Sequence, residues 1–202
     1  SAFLQADSDD NVLGSTGADT ITLRGAAQAG DKFDGGEGFD TLILADRANE
    51  ILVSGTESII GGSKNDTFNL TGIDFSTIEG GDGIDTVNYS IIPEGLSIDL
   101  DAGTVNDLFG NLGDTLISIE AAGGTAYDDA LSGTAGDNTL RGFAGNDVLV
   151  GGGGDDILIS GTGKDVLKGG DGLDELTGTE LMTFDNFTVA SYDYAAAGIV
   201  AV

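Results

Sequence analysis

The chain has 202 residues, 35 acidic side chains against 7 basic ones, a net charge of −28, no Cys and no His. So acidic a chain excludes nucleic acid, whose phosphates require Lys and Arg patches, and argues against adsorption to anionic lipid. Lacking Cys and His, it can form no disulfide, no thiolate or imidazole metal site, no zinc-protease motif and no Ser-His-Asp triad. Acidity with 35 Gly would suit a disordered chain, but 40% hydrophobic residues and a single Pro argue for a packed core. The longest apolar run, AAAGIVAV at the C-terminus, is too short to span a bilayer, so membrane insertion is not expected.

In chain order, SAFLQADSDDN has neither the basic nor the apolar region of a secretory signal and reads as a natural start after loss of Met. A weak nine-residue unit, QADSDDNVL, begins at Gln5. Clearer copies follow: GSTGADTIT from Gly14, AAQAGDKFD from Ala26, GGEGFDTLI from Gly35, GGSKNDTFN from Gly61 and GGDGIDTVN from Gly80. Residues 1–88 are therefore degenerate repeats. Residues 89–123 lose the register but keep alternating stretches, Leu96–Leu100 and Leu116–Glu120, which predict half-buried strands joined by longer loops. From Gly124 to Thr177 six units run without a gap: GTAYDDALS, GTAGDNTLR, GFAGNDVLV, GGGGDDILI, SGTGKDVLK and GGDGLDELT. Residues 178–202 form a tail with Phe184, Phe187, Tyr192 and Tyr194, read as a cap over the last coil and compatible with an assembly patch. No linker interrupts the chain, and a single domain over 1–202 is expected.

Within a unit, position eight is Leu in all six contiguous copies, and position six is Asp or Asn. Gly at positions one, two and four opens backbone conformations closed to other residues, so the first six residues form a tight turn. The last three form a short strand that points position eight inward. Two units then make one coil, and stacked coils pair their strands in parallel. On a uniform coil of about 18 residues the chain would wind about eleven coils, with strands about 4.8 Å apart.

Stacking brings position-six carboxylates of successive coils together, which is unfavourable unless a cation lies between them. Carboxylates and the carbonyls of a glycine-opened turn are hard oxygen ligands that suit calcium, whereas magnesium demands stricter octahedral geometry. Glycosidase-like pairs of acids are read here as calcium ligands. Gly161-Thr-Gly-Lys164 is not a phosphate loop, because Leu158 and Asp165 stand where Gly and Ser or Thr are required. No enzyme is expected.

The units resemble GGxGxDxUx, the nonapeptide of the RTX (repeats-in-toxin), haemolysin-type calcium-binding family. The resemblance implies an all-β, right-handed parallel β-roll (a β-solenoid) with calcium ions between stacked turns, exported by type I secretion machinery. Carried over, the calcium carboxylates would be Asp19, Asp31, Asp40, Asp66 and Asp85 upstream, then Asp129, Asp147, Asp156, Asp165 and Asp174. Asn138 departs from the motif and should weaken its site, and Lys64 and Tyr127 replace a turn glycine. The turn glycines of the sites would be Gly36, Gly38, Gly81, Gly83, Gly136, Gly145, Gly152, Gly154, Gly163, Gly170 and Gly172. The function expected is a secreted, extracellular calcium-binding structural protein that folds on calcium and self-associates into a surface layer, filament or matrix. The alternatives are a secretion and folding module of a larger exoenzyme, or an adhesin or ice-binding module. Ice binding wants ranks of Thr, and the outward position nine reads Ser132, Arg141, Val150, Ile159, Lys168 and Thr177.

Overall fold

The computed structural model describes residues 10–73 and 75–178, and beyond them the strand backbones at 182–185, 189–190 and 200–201. Contacts group the chain into two compact units, residues 1–89 with 112–119 and residues 90–111 with 120–202. Each is wound as a parallel β-solenoid, about nine turns in all and without helix among the described residues.

The first unit contains β1 (Asn11–Leu13), β2 (Thr20–Thr22), β3 (Lys32–Asp34), β4 (Thr41–Ile43), β5 (Asn49–Ser54), β6 (Ser58–Ile60), β7 (Asp66–Leu70), β8 (Thr77–Glu79) and β9 (Thr86–Asn88). The second opens with β10 (Leu96–Asp99) and β11 (Thr104–Asp107), after which β12 (Leu112–Ile117) returns to the first. It continues with β13 (Ala121–Gly123), β14 (Ala130–Ser132), β15 (Thr139–Ala144), β16 (Val148–Gly153), β17 (Ile157–Thr162), β18 (Asp165–Asp171) and β19 (Glu175–Thr177). The backbone strands β20 (Met182–Asp185), β21 (Val189–Ala190) and β22 (Val200–Ala201) complete it.

In the first unit, odd strands β1 to β9 form one parallel sheet and β2, β4, β6, β8 and β12 the other. In the second, β13, β15, β17, β19 and β21 stack on one side, and β10, β14, β16, β18, β20 and β22 on the other. Alternation sends every second side chain inward. The position-eight leucines Leu131, Leu140, Leu149, Leu158, Leu167 and Leu176 are all buried and lie in register from coil to coil. Phe33, Leu42, Ile59, Phe68, Ile78 and Val87 play that part in the first unit. Fully burying such a side chain contributes about 1.5–3 kcal/mol, so the ranks hold each roll together.

Four expectations need correction. The coil is uniform at 18 residues only among the contiguous repeats. Upstream the step between matching residues is 21, 17 or 19, because turn lengths vary, and from Ser76 to Asp114 it is 38, because β10 and β11 lie between; the chain winds about nine turns where a uniform coil would give about eleven. Residues 96–107 are not a simple coil with a longer loop, since β11 folds back antiparallel on β10. The strand expected at Leu116–Glu120 instead ends at Ile117, where Ser118 adopts φ +51°. Strands β15 to β18 of the contiguous array also exceed three residues. In β15 to β18 the pairing runs on into the following turn, with Phe143 facing Gly161 and Gly152 facing Gly170.

Candidate metal centres

Position six is where the repeat puts charge inside. Asp31, Asp40, Asp66, Asp85, Asp129, Asn138, Asp147, Asp156, Asp165 and Asp174 are all buried, while Asp19 is half-buried. Each residue directly precedes a strand or starts one, so its backbone is fixed by the ladder and its side chain turns back under its own turn. Position-one glycine makes room for it. A Cβ on Gly142, Gly151 or Gly169 would land on the Oδ2 of Asp147, Asp156 or Asp174, and one on Gly61 or Gly80 within 2.8 Å of Asp66 or Asp85.

One oxygen of these carboxylates is a structural acceptor. The Asp129 N–H donates to Asp147 Oδ1 (2.9 Å) and the Asp147 N–H to Asp165 Oδ1 (3.0 Å). On the opposite side the Asn138 N–H donates to Asp156 Oδ1 (2.8 Å) and the Asp156 N–H to Asp174 Oδ1 (3.1 Å). The first unit repeats the ladder, from Asp10 to Asp31, Asp19 to Asp40, Asn49 to Asp66 and Asp66 to Asp85. A backbone N–H of one coil thus reaches the carboxylate of the next coil.

The second oxygen falls into two classes. In the turns ending at Asp19, Asp66 and Asp129 the position-two N–H, from Ser15, Gly62 and Thr125, donates to Oδ2 at 2.6–2.8 Å. Thr134 does the same to Asn138 Oδ1 (2.6 Å). In contrast, Asp40, Asp147, Asp156, Asp165 and Asp174 each bury an Oδ2 that has no hydrogen-bond partner. Asp31 accepts from the Gln28 N–H (2.7 Å) in a shorter turn. Burial holds Asp129 above the usual carboxylate range and pushes Asp147 up to about 7 and Asp156 to about 6, with neighbouring aspartates adding to the push. The Ser15 N–H and hydroxyl hold Asp19 below that range.

Of the eleven turn glycines expected at the sites, ten have positive φ; Gly136 does not. Two residues at position two that the motif reading passed over, Phe143 (φ +73°) and Gly161 (φ +94°), also have it.

The sequence reading missed Asp114, Asn49 and Glu57. Asp114 sits at position six of FGNLGDTLI, residues 109–117, a copy with only one well-placed glycine as its signal. It is buried, accepting from the Ser76 N–H (2.9 Å) and the Tyr89 hydroxyl (2.8 Å). Asn49 donates its amide to Asp66 Oδ1 (2.7 Å), and Glu57 accepts from the Asp40 N–H (2.7 Å). Position five, a free choice in the motif, carries a second, exposed ladder. Asp128 accepts from the Asn146 N–H, Asn146 from Lys164, Asp137 from Asp155 and Asp155 from Leu173. The tail aromatics Phe184, Phe187, Tyr192 and Tyr194 lie outside the residues whose side chains are described.

Buried, unpartnered carboxylate oxygens in so acidic a chain fit a hard cation, since a charge in such a place must be paired or coordinated. Among the described residues no three acidic side chains converge on one point. This architecture defines a repeat protein of the parallel β-solenoid class. Residues 6–27, 123–158 and 150–180 match the family model for the RTX calcium-binding nonapeptide repeat, in four copies. These segments carry RTX nonapeptide repeats, and RTX repeats bind calcium. A comparison with curated proteins finds no match.

Proposed function

We propose that the chain is a secreted calcium-binding structural protein, without catalytic activity, whose rolls fold as calcium fills their turns outside the cell. Folded chains then associate into a surface layer, filament or matrix. The observation that carries the calcium reading is the buried Oδ2 of Asp40, Asp147, Asp156, Asp165 and Asp174, for which the protein supplies no donor. Position-six carboxylates and turn carbonyls would hold the ion, whose chemical contribution is to neutralise buried charge. With −28 charges the calcium-free chain repels itself, so ion binding supplies folding free energy. Extracellular calcium modules bind at about 10⁻⁴–10⁻³ M. The chain would therefore stay loose in a cell interior, suited to type I export, and close afterwards. Circular dichroism tests this: a β spectrum should develop on adding millimolar calcium and collapse with EGTA. A full β spectrum in EGTA would overturn the reading.

A further inference from the structure

Every nonapeptide with Asp at position six satisfies the same motif, yet the backbone divides them into two kinds of turn. The turns ending at Asp40, Asp85, Asp147, Asp156, Asp165 and Asp174 have positive φ at position two: Gly36 (+93°), Gly81 (+104°), Phe143 (+73°), Gly152 (+110°), Gly161 (+94°) and Gly170 (+112°). All six also have it at position four, at Gly38, Gly83, Gly145, Gly154, Gly163 and Gly172. In those ending at Asp40, Asp147, Asp156, Asp165 and Asp174 the aspartate buries an unpartnered Oδ2. The turns ending at Asp19, Asp66, Asp129 and Asn138 have positive φ at neither position. There the position-two N–H points down at the side chain and occupies the oxygen that the first kind leaves bare.

The cause is visible in the residues. A positive φ at position two swings that residue's N–H away from the carboxylate, a conformation that favours glycine. Ser15, Thr125 and Thr134 resist it, and their hydroxyls hold the alternative. Ser15 and Thr125 donate to the same carboxylate, while Thr125 and Thr134 Oγ1 also accept the position-four N–H at 3.0 and 3.1 Å. This is the local turn that Ser and Thr side chains offer in competition with other backbone paths. Gly62 reaches the same state beside Lys64, which replaces the position-four glycine.

We propose that calcium loads only the turns with left-handed backbone at positions two and four, and that the turns ending at Asp19, Asp66, Asp129 and Asn138 are closed by their own N–H and stand without metal. The inference rests on the calcium reading above and sharpens it. Ser or Thr at position two marks a metal-free turn even where the aspartate is intact. Within the contiguous array the first two units, residues 124–141, then form a platform that needs no ion, and the four units over 142–177 take the calcium. Asn138 is therefore no weakened site, since its Oδ1 accepts the Thr134 N–H and its amide reaches Glu120 O (3.1 Å).

The test replaces aspartate by its isostere in each kind of turn and counts ions by native mass spectrometry, with calcium midpoints from circular dichroism. Asp129→Asn should keep the full ion count of the parent chain, since an amide oxygen can accept the Thr125 N–H as Asn138 does in its own turn. Asp156→Asn should lose at least one ion and raise the midpoint several-fold. If Asp156→Asn does not fold, the ion count of Asp129→Asn still decides. Loss of an ion from Asp129→Asn overturns the division into two kinds of turn and leaves the calcium reading standing. A parent chain that retains no ion overturns the calcium reading itself.

Discussion

A buried carboxylate with one bonded oxygen and one bare one has two ways to be neutralised, a proton or a cation. Burial raises Asp147 to about 7 and Asp156 to about 6 from an ordinary 3.8. A folded-state value above the unfolded one means that folding of the calcium-free chain takes up protons. That stability is fully present below about pH 4 and is lost as pH rises through 6 to 7. In EGTA the β signal at pH 5 should therefore exceed that at pH 8. With calcium present the order reverses, because the ion competes with protons for the same oxygens and its midpoint should fall from pH 5.5 to pH 8. Circular dichroism at fixed pH checks both halves.

Glycines that look alike in the repeat also separate at this scale. A Cβ on Gly151 would land on Asp156 Oδ2, whereas one on Gly136, where φ is not positive, meets nothing nearer than Thr134 Oγ1 at 3.8 Å. Gly136→Ala should raise stability by about 0.4–1 kcal/mol through the unfolded chain. Gly151→Ala should cost several times that, as about 1–3 kcal/mol is typical for overpacking alone. Urea unfolding at saturating calcium measures the difference.

At the scale of the element, the coil of β9 and β12 in the first unit carries its own neutralisation. Tyr89 is fully buried and donates to Asp114, and burial beside that carboxylate raises the phenol well above its ordinary range. Tyr89→Phe removes the donor and leaves the carboxylate short of a bond, a loss of about 1–3 kcal/mol. Because the donor is a hydroxyl and not an ion, extra calcium should not restore the thermal midpoint. This pair was not legible in the sequence, where Tyr at an inward position reads as core and residues 89–123 show no register. The β10–β11 hairpin escaped for the same reason, since antiparallel return leaves the alternation of Leu96, Ile98 and Val105 unchanged. What was legible followed from strict repetition: the inward leucine, the acid before each strand and the parallel stacking all depend on residue type at fixed spacing. The two kinds of turn depend instead on φ at position two, and Phe143 shows why residue type misleads there. It adopts φ +73° in a slot where Thr125 and Thr134 do not.

At the scale of the whole molecule, the proposed assembly follows from net charge and strand edges. A solenoid end presents unpaired strand groups that pair with a neighbour unless blocked, and −28 charges oppose that pairing until cations reduce them. Millimolar calcium should therefore raise the scattering mass of the full chain in a concentration-dependent way, and electron microscopy should show lattices or filaments. A chain ending at Gly178 should differ in assembly if the tail takes part. A full-length protein that stays monomeric at high concentration would remove the structural role and favour a module of a larger exported protein.

The two ladders of the array share one property with a wider consequence. Position-six and position-five bonds both join residues 18 apart. A length change of two nonapeptides therefore leaves every remaining strand in its own sheet. A change of one transfers everything downstream to the opposite face, exchanging Arg141 and Ile159 on one side with Val150 and Lys168 on the other. Gene duplication or loss within such a roll is silent on its faces only in even numbers of repeats. A chain lacking residues 151–168 should accordingly keep a calcium-induced β spectrum of undiminished intensity per residue, with fewer ions bound.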